Sequence, residues 1–390
     1  MNKSLIELAA GLAPMLRENS NEGTRLRRMP DATWRALLDA KLLRGLQPSR
    51  WGGLEANPAD FFAAIAEVAR ADGAAGWVAG IIGVHPWQLA LFPDETQREV
   101  WGTDPTVMHS SSYAPTGKAE KVSGGYKLRG RWSFSSGCDH CQWVNLGAIA
   151  GGVEIEGAQV PDLKSFMIPR RDYKIDDNWH VAGLCGTGSK DIVVDDAFVP
   201  EHRTQSHWDY TLARELPGWK VNPAPLYRMP FAIIFNYALV AAVLGASRGF
   251  LELWTEASKT RKAGMGGNSA EDPYIQKMLS EAAYVIDAGF LVMRHDLDVM
   301  IDAVGREENV PLVRRAAVRY NACRSAQLAS HAIDQLFESS SGRAIFLDNP
   351  LQRRYQDIKA MMGHAYLNAD QPARMHGALA LGQHVLNAML

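Results

Sequence analysis

What most constrains this chain is the order of two hydrophobic periodicities. From Ser4 to about Trp101 apolar residues recur at helical spacing, as in Leu37, Leu38, Leu42 and Leu43 and again in Phe61, Phe62, Ile65 and Val68. Between about Val107 and Arg203 they alternate, or form short β-branched runs broken by glycine and aspartate. From about Pro230 long helical patterns return over Ala238 to Lys259, Tyr274 to Val304 and Leu312 to Glu338, with few internal breakers. The pattern predicts a mainly α chain with a central β domain: an N-terminal helical domain over 1–106, a middle β barrel or sandwich over 107–204, and a C-terminal four-helix bundle over 205–390. Helices this long need a partner surface for their apolar stripes, so packing between chains, and with it a homo-oligomer, is expected.

Local signals sharpen the elements. Asn57-Pro58 supplies a helix start, with Asn57 as N-cap and Pro58 at the first helical position. Gly124-Gly125 reads as a hairpin turn, and Asp191 to Val194 as a strand ended by a turn at Asp195-Asp196. Gly264 to Ser269 reads as a mobile loop.

Composition narrows the partners. Forty-one basic against 43 acidic residues give a net charge of -2, so the chain has no general attraction to nucleic acid or anionic lipid. The short basic run Arg25-Leu26-Arg27-Arg28 reads as a solvated helix face. No signal peptide is visible, and the apolar run Phe231 to Gly245 is too short to span a bilayer comfortably. Four cysteines in a chain of 390 residues make no disulfide framework, and the cytoplasm is expected. Cys138-Asp139-His140-Cys141 invites a metal reading, but no second ligand pair at suitable spacing exists, and packing is the better account.

Three stretches carry a resemblance: Gly130-Arg131-Trp132-Ser133-Phe134-Ser135-Ser136-Gly137, then Gly183-Leu184-Cys185-Gly186-Thr187-Gly188-Ser189-Lys190-Asp191, then Phe198-Val199-Pro200. Together they resemble the middle domain of acyl-CoA dehydrogenase-fold flavoproteins. Leu46-Gln47-Pro48 with Trp51-Gly52-Gly53, Gly83-Val84-His85-Pro86-Trp87 and Ser110 to Gly117 add a closer likeness. It is to the oxygenase components of two-component phenol monooxygenases, notably secosteroid-phenol hydroxylases and, more distantly, para-hydroxyphenylacetate hydroxylase. Several motifs in order, over nearly the whole chain, make the likeness specific where a lone Gly-Thr-Gly-Ser turn would not.

The resemblance implies reduced flavin (FMNH2 or FADH2) and O2 as cofactors, a separate NAD(P)H-flavin reductase as partner, and a homotetramer. Oxygen adding at flavin C4a gives a hydroperoxide that hydroxylates a small aromatic substrate, phenolic and with polycyclic rings included. A pocket for this must exclude water. By resemblance, Trp132, Ser135 and Ser136 sit beside the flavin ring, with Ser112 and Tyr113 in the same pocket. Arg261 takes the flavin phosphate, for which a guanidinium fork is suited. Ser340, Ser341 and Gly342 form the loop that approaches flavin from a neighbouring subunit. For acid–base work near neutral pH histidine is the natural group. His364 is the first candidate and His109 the second, with Ser136 and Asn368 completing the catalytic set. On a regular helix Asn368 would share a face with His364 one turn earlier; an amide there, where a carboxylate is expected, leaves activation by a His-carboxylate pair open. His85 and Trp87 are placed at the substrate cavity, with core packing the better account of His85 taken by itself.

Two rival functions are compatible with the same residues. An acyl-CoA dehydrogenase needs a carboxylate base, and the nearest position offers Asp348, one methylene shorter than glutamate. A non-catalytic flavin or ligand carrier on the same fold is the other.

Overall fold

The computed structural model describes residues 3–262 and 267–385, so Gly264, Met265 and Gly266 of the expected loop lie outside the described residues. The chain begins with helices α1 (Leu5–Gly11), α2 (Ala13–Leu26), α3 (Asp31–Asp39), α4 (Pro58–Ala71), α5 (Gly73–Leu89) and α6 (Asp94–Trp101). α4 starts as its sequence dictates: Asn57 Oδ1 accepts the Ala59 N–H at 2.8 Å and Pro58 follows at the first helical position. Asp72 separates α4 from α5 and caps the latter, accepting the N–H groups of Ala74 at 3.0 Å and Ala75 at 3.5 Å. Every α5 residue except Ile81 is buried, which makes this helix a core element rather than an amphipathic cover.

Strands β1 (His109–Val122), β2 (Gly125–Ser135), β3 (Trp143–Ile155), β4 (Ala158–Pro169), β5 (Lys174–Asp176), β6 (Lys190–Pro200) and β7 (Thr204–Ser206) form one seven-stranded sheet, ordered β5-β6-β2-β1-β3-β4-β7. β1 and β3 pair parallel and every other neighbouring pair is antiparallel. Val122 pairs with Gly125, so the β1–β2 turn is Ser123-Gly124, one residue earlier than expected, and Gly124 supplies the required positive φ of 79°. Asp195-Asp196 is not a turn. β6 runs through it, and the register shift between Leu128↔Ala197 and Gly130↔Val194 absorbs both aspartates in a bulge.

Helices α7 (His207–Thr211), α8 (Phe231–Thr260), α9 (Pro273–Gly305), α10 (Leu312–Glu338), α11 (Pro350–Met362) and α12 (Asp370–Ala380) complete the chain. α8 starts well before Ala238 because Pro230 precedes it and Phe231 to Tyr237 are all buried. Among the described residues α8 alone is long and apolar enough to cross a membrane, but 94% of its most apolar window is buried inside the protein. Glycines let backbones meet at its contacts: a Cβ on Gly80 of α5 would lie 2.7 Å from the Ala238 carbonyl oxygen, and one on Gly245 only 2.1 Å from that of Ala66. A single hydrophobic core therefore runs from α2 and α4 through α5 and α8 to α10 and α11. A second core, around Trp132 and Phe166, fills the sheet.

Candidate active site

The site lies where α5 meets the start of β1. His85 and Gln88, one turn apart on α5, face Ser111 and Tyr113, which share one side of β1. The His109 carbonyl can only accept, so the 2.6 Å contact fixes the proton of His85 on Nδ1. Nε2 is then an acceptor and takes the Ser111 hydroxyl proton at 2.9 Å. Burial pushes His85 down to about 4, so the imidazole is neutral at physiological pH. The His109 ring stacks on His85 at 4.8 Å, and burial holds it well below its ordinary value too. Among the described residues His109 Nε2 and Gln88 Nε2 are buried without a hydrogen-bond partner. The Tyr113 hydroxyl donates to Gln88 Oε1.

An aromatic wall closes this polar pair of rungs. Tyr210 stacks on Phe231 at 4.6 Å and Phe231 on Phe235 at 4.2 Å, and Phe235 reaches His85 at 5.9 Å and Tyr113 at 5.6 Å. Behind the wall is a recess of about 510 Å³ where Trp87, Tyr210, Trp219, Tyr227 and Phe231 meet a charged rim of Asp209, Arg214, Glu215, Arg228, Glu307, Glu308 and Arg315. The Trp87 indole N–H donates to the Leu226 carbonyl at 2.8 Å, so only its ring serves the recess.

A second cluster is a chain of hydroxyls with one hydrogen-bond direction. Thr187 Oγ1 donates to the Leu184 carbonyl at 2.9 Å and so accepts from Ser189 at 2.7 Å; Ser189 in turn accepts from Ser136 at 2.8 Å. Trp77 Nε1 donates to Ser136 Oγ at 3.3 Å. With its proton committed to Ser189, Ser136 offers a remaining lone pair, hence an acceptor. Ser135 bonds Ser110 at 2.9 Å and Ser112 donates to the Ser133 carbonyl at 2.8 Å, so both help join β1 to β2.

Trp132 does not stand where the resemblance puts it. Its side chain is fully buried in the sheet core, with the indole N–H donating to the Gly147 carbonyl at 2.7 Å, so it has no open face for a flavin ring. The aromatic that reaches out is Phe134, 71% exposed at a positive φ of 67° and edge-on to Trp179 at 6.1 Å. A bulky residue held in the left-handed region is uncommon and marks backbone constraint beside Ser135 and Ser136.

His364 and Asn368 do not share a helical face. α11 ends at Met362, His364 is extended and caps a short 3-10 turn over Ala365–Leu367, and Asn368 is extended again. Asn368 Oδ1 accepts the Asp370 N–H at 2.8 Å, which spends it on starting α12. His364 Nδ1 accepts the Tyr366 N–H at 3.2 Å, leaving the ring proton on Nε2. Its ring is accessible to solvent, yet it lies 5.8 Å from Trp77 and the surrounding protein pushes it down to about 4. The ring presents an N–H donor on its exposed side.

Arg261 lies elsewhere. It follows α8, bonds Ser269 at 3.0 Å and sits 5.9 Å from the Trp254 ring, and no ion pair holds it among the described residues. Trp254 Nε1 donates to the Leu336 carbonyl, which the Ser339 and Ser340 hydroxyls also address. Arg261 is thus joined to the Ser340-Ser341-Gly342 loop and not to Ser136. Gly73 abuts Ala246, and at 1.5 Å per residue Arg261 lies more than about 20 Å further along the helix direction.

Other sequence candidates are structural. Cys138 is pushed up to about 12 by burial and is a thiol bonded to the Gly188 carbonyl, while His140 stacks on Trp34 and meets the Met29 carbonyl at 2.9 Å. Asp348 is exposed and paired with Arg343 at 3.1 Å, a poor setting for a proton-abstracting base. Trp77, Ser111 and Phe134 carry site geometry that their residue types do not announce. Ser111 and Phe134 stand inside quoted motifs, but Trp77 is one aromatic in an apolar helix.

Residues 237–369 match the family model "Acyl-CoA dehydrogenase, C-terminal domain". The flavin-dependent monooxygenase, oxygenase subunit HsaA, of Rhodococcus jostii (strain RHA1) is 39% identical over 381 residues, covering 97% of this chain and 98% of that protein. The chain belongs to the oxygenase subunits of flavin-dependent aromatic monooxygenases. The crystal structure of 3-HSA hydroxylase from Rhodococcus sp. RHA1 matches this oxygenase subunit with a TM-score of 0.93 at 38% identity, covering 100% of this chain and 99% of that one. The FADH(2)-dependent resorcinol hydroxylase, oxygenase component, of Rhizobium sp. (strain MTP-10005) is 34% identical, covering 97% of this chain and 94% of that protein. The oxygenase subunit therefore uses reduced flavin to hydroxylate an aromatic substrate and takes that flavin from a separate reductase.

The residues present suit such a group. A flavin ring needs an aromatic flank, an acceptor for its N–H edge and a dry neighbour. Exposed Phe134 with Trp179, the Ser136 lone pair, and the buried unpartnered donors beside Tyr113 meet those needs. Bound reduced flavin supplies the electrons and, with O2, the transferred oxygen atom. The chain holds the reacting groups, excludes water and orients protons.

Proposed function

We propose that this subunit hydroxylates a phenol with a bulky apolar remainder, and that Ser111 and His85 recognise the phenolic O–H. The observation that carries this is the one-way bond Ser111→His85→His109 carbonyl, which leaves Ser111 Oγ able to accept a proton. A phenol donating to Ser111 has its ring made more electron-rich where oxygen is to be accepted. His85, neutral and buried, polarises that bond without removing the proton outright. His364, presenting Nε2–H next to Trp77, serves as a donor on the Ser136 side of the site. His109 backs His85. The recess of about 510 Å³ behind Phe231 is large enough for a fused-ring remainder, and the phenolic part of the reading is in line with the resorcinol hydroxylase among the relatives.

On this reading Ser135, Ser136, Ser112 and Tyr113 border the flavin ring. Arg261, Ser340, Ser341 and Gly342 of a neighbouring copy reach its phosphate, so the working unit holds at least two copies, in keeping with a cytoplasmic homotetramer. The distance between the two residue sets within one chain supports this, as do the exposed Ile345, Phe346 and Leu347 beside the loop. The proposed units are 1–106, 107–204 and 205–390.

The test compares phenols with their methyl ethers, with flavin supplied by a reductase. Native enzyme is expected to hydroxylate the phenols and spare the ethers, and Ser111→Ala to lower kcat/KM for phenols by about tenfold or more, the cost of one lost bond to a polarised group. Equal turnover of ethers and phenols by the native enzyme would sink the reading.

A further inference from the structure

Three segments that carry the site converge on one buried carboxylate. Asp357, on α11, accepts the Leu184 N–H at 2.6 Å. Gly183 lies flat against the same helix, where an added Cβ would stand 2.2 Å from the Gln356 carbonyl oxygen. Leu184 itself is left-handed at φ 57°, a conformation that a leucine holds only when its surroundings over-determine it. On the other side, Asp357 Cβ would lie 3.5 Å from a Cβ at Gly73, the first residue of α5. One turn before it, Arg354 donates to the Arg70 and Ala71 carbonyls at 2.8 and 2.7 Å, fixing α11 to the end of α4.

The Leu184 carbonyl is the end of the hydroxyl chain. It accepts the Thr187 hydroxyl at 2.9 Å, the Thr187 N–H at 3.1 Å and the Trp179 indole N–H at 3.1 Å. Where Leu184 sits therefore decides which way Thr187, Ser189 and Ser136 point, and where Trp179 stands beside Phe134. α11 also leads into His364, and the helix that starts at Gly73 carries Trp77. We propose that Asp357 is a positioning residue for oxygen transfer, holding Leu184 so that the Thr187–Ser189–Ser136 hydroxyls keep one hydrogen-bond direction. This rests on Ser136 facing the flavin; the Ser111–His85 reading does not depend on it.

Two measurements on the full-length subunit separate the steps. The first is amide exchange of residues 184–189 in the flavin-free protein, and the second is hydrogen peroxide released per hydroxylated product with reductase-supplied flavin. Asp357→Leu removes the acceptor; exchange at Leu184 should quicken by about tenfold or more and the peroxide yield should rise several-fold. Asp357→Asn keeps an acceptor oxygen and should stay within about twofold of native in both readouts. Thr187→Val leaves Asp357 untouched but cuts the relay, so it should raise peroxide yield with Leu184 exchange unchanged, and it decides the matter even if Asp357→Leu does not fold. The proposal is overturned if Asp357→Leu leaves exchange or peroxide yield at native values, if Asp357→Asn fails alongside it, or if Thr187→Val couples like native enzyme.

Discussion

His207 is a buried imidazole held on Ser165 at 2.9 Å, and like His85 it is pushed down to about 4 by desolvation alone or nearly so. A folded value below the unfolded 6.5 means that the unfolded chain binds the proton first as pH falls. Each group therefore removes about 1.4 kcal/mol of stability per pH unit between roughly 6.5 and 4. Asp357 has the opposite sign. Raised to about 7, chiefly by desolvation and then by Asp72, it contributes stability at low pH that is lost as pH rises through its folded value. The groups facing it are Asp72 from the α4–α5 junction, Arg353 and Arg354 on its own helix, and Cys185 beyond Leu184. Thermal melts should show His207→Gln losing less Tm than native protein between pH 6.5 and 4, and Asp357→Asn gaining on native protein as pH climbs from 4 to 7, then holding level. A constant offset at all pH values in either variant would contradict the assignment. None of this is legible in the sequence, because a histidine's burial depends on partners far along the chain. Ser111 and His85 meet only because α5 crosses β1.

At the scale of elements, the sequence is a good guide where capping chemistry is local and a poor one where strand or helix runs past a turn signal. Asn57-Pro58 starts α4, and α10 spans Leu312–Glu338, as the periodicity predicts. Asp195-Asp196 failed as a turn because pairing with β2 outweighs two aspartates and tolerates them as a bulge. The segment after Met362 failed as a helix because Gly363 weakens it, His364 caps the 3-10 turn and Asn368 Oδ1 holds the Asp370 N–H where α12 begins. This separates two residues that a helical face would unite. Asn368→Ala should cost about 1 kcal/mol, as a lost N-cap acceptor does, and leave the ratio of product to peroxide unchanged. His364→Ala should lower hydroxylation severalfold while sparing the reduced-flavin Kd, since its exposed Nε2–H is not engaged in starting α12. Melts, flavin titration and product analysis on the two variants check both. Equal loss of hydroxylation in both would restore the coupled pair.

For the whole molecule the question is how one chain with its ring-side and phosphate-side residues so far apart can make a flavin site. Ser136 stands by α5 near the middle of α8, whereas Arg261 follows the last residue of that helix and the loop at Ser340 lies by Trp254 towards the same end. In the arrangement proposed above, a closed assembly brings unlike ends of identical chains together, with Ser136 of one copy and Arg261 of another at each site. Arg261→Ala alone should weaken reduced-flavin binding, through loss of a charged fork to phosphate. Ser136→Ala alone should spare affinity more and coupling less. Unfolded together, refolded as mixed assemblies and assayed with reductase-supplied flavin, the two impaired parents should complement. In pairs formed at random, about a quarter of sites draw both residues from intact donors, so activity should approach about a quarter of native. Activity no higher than the sum of the separately refolded parents would overturn the site shared between copies.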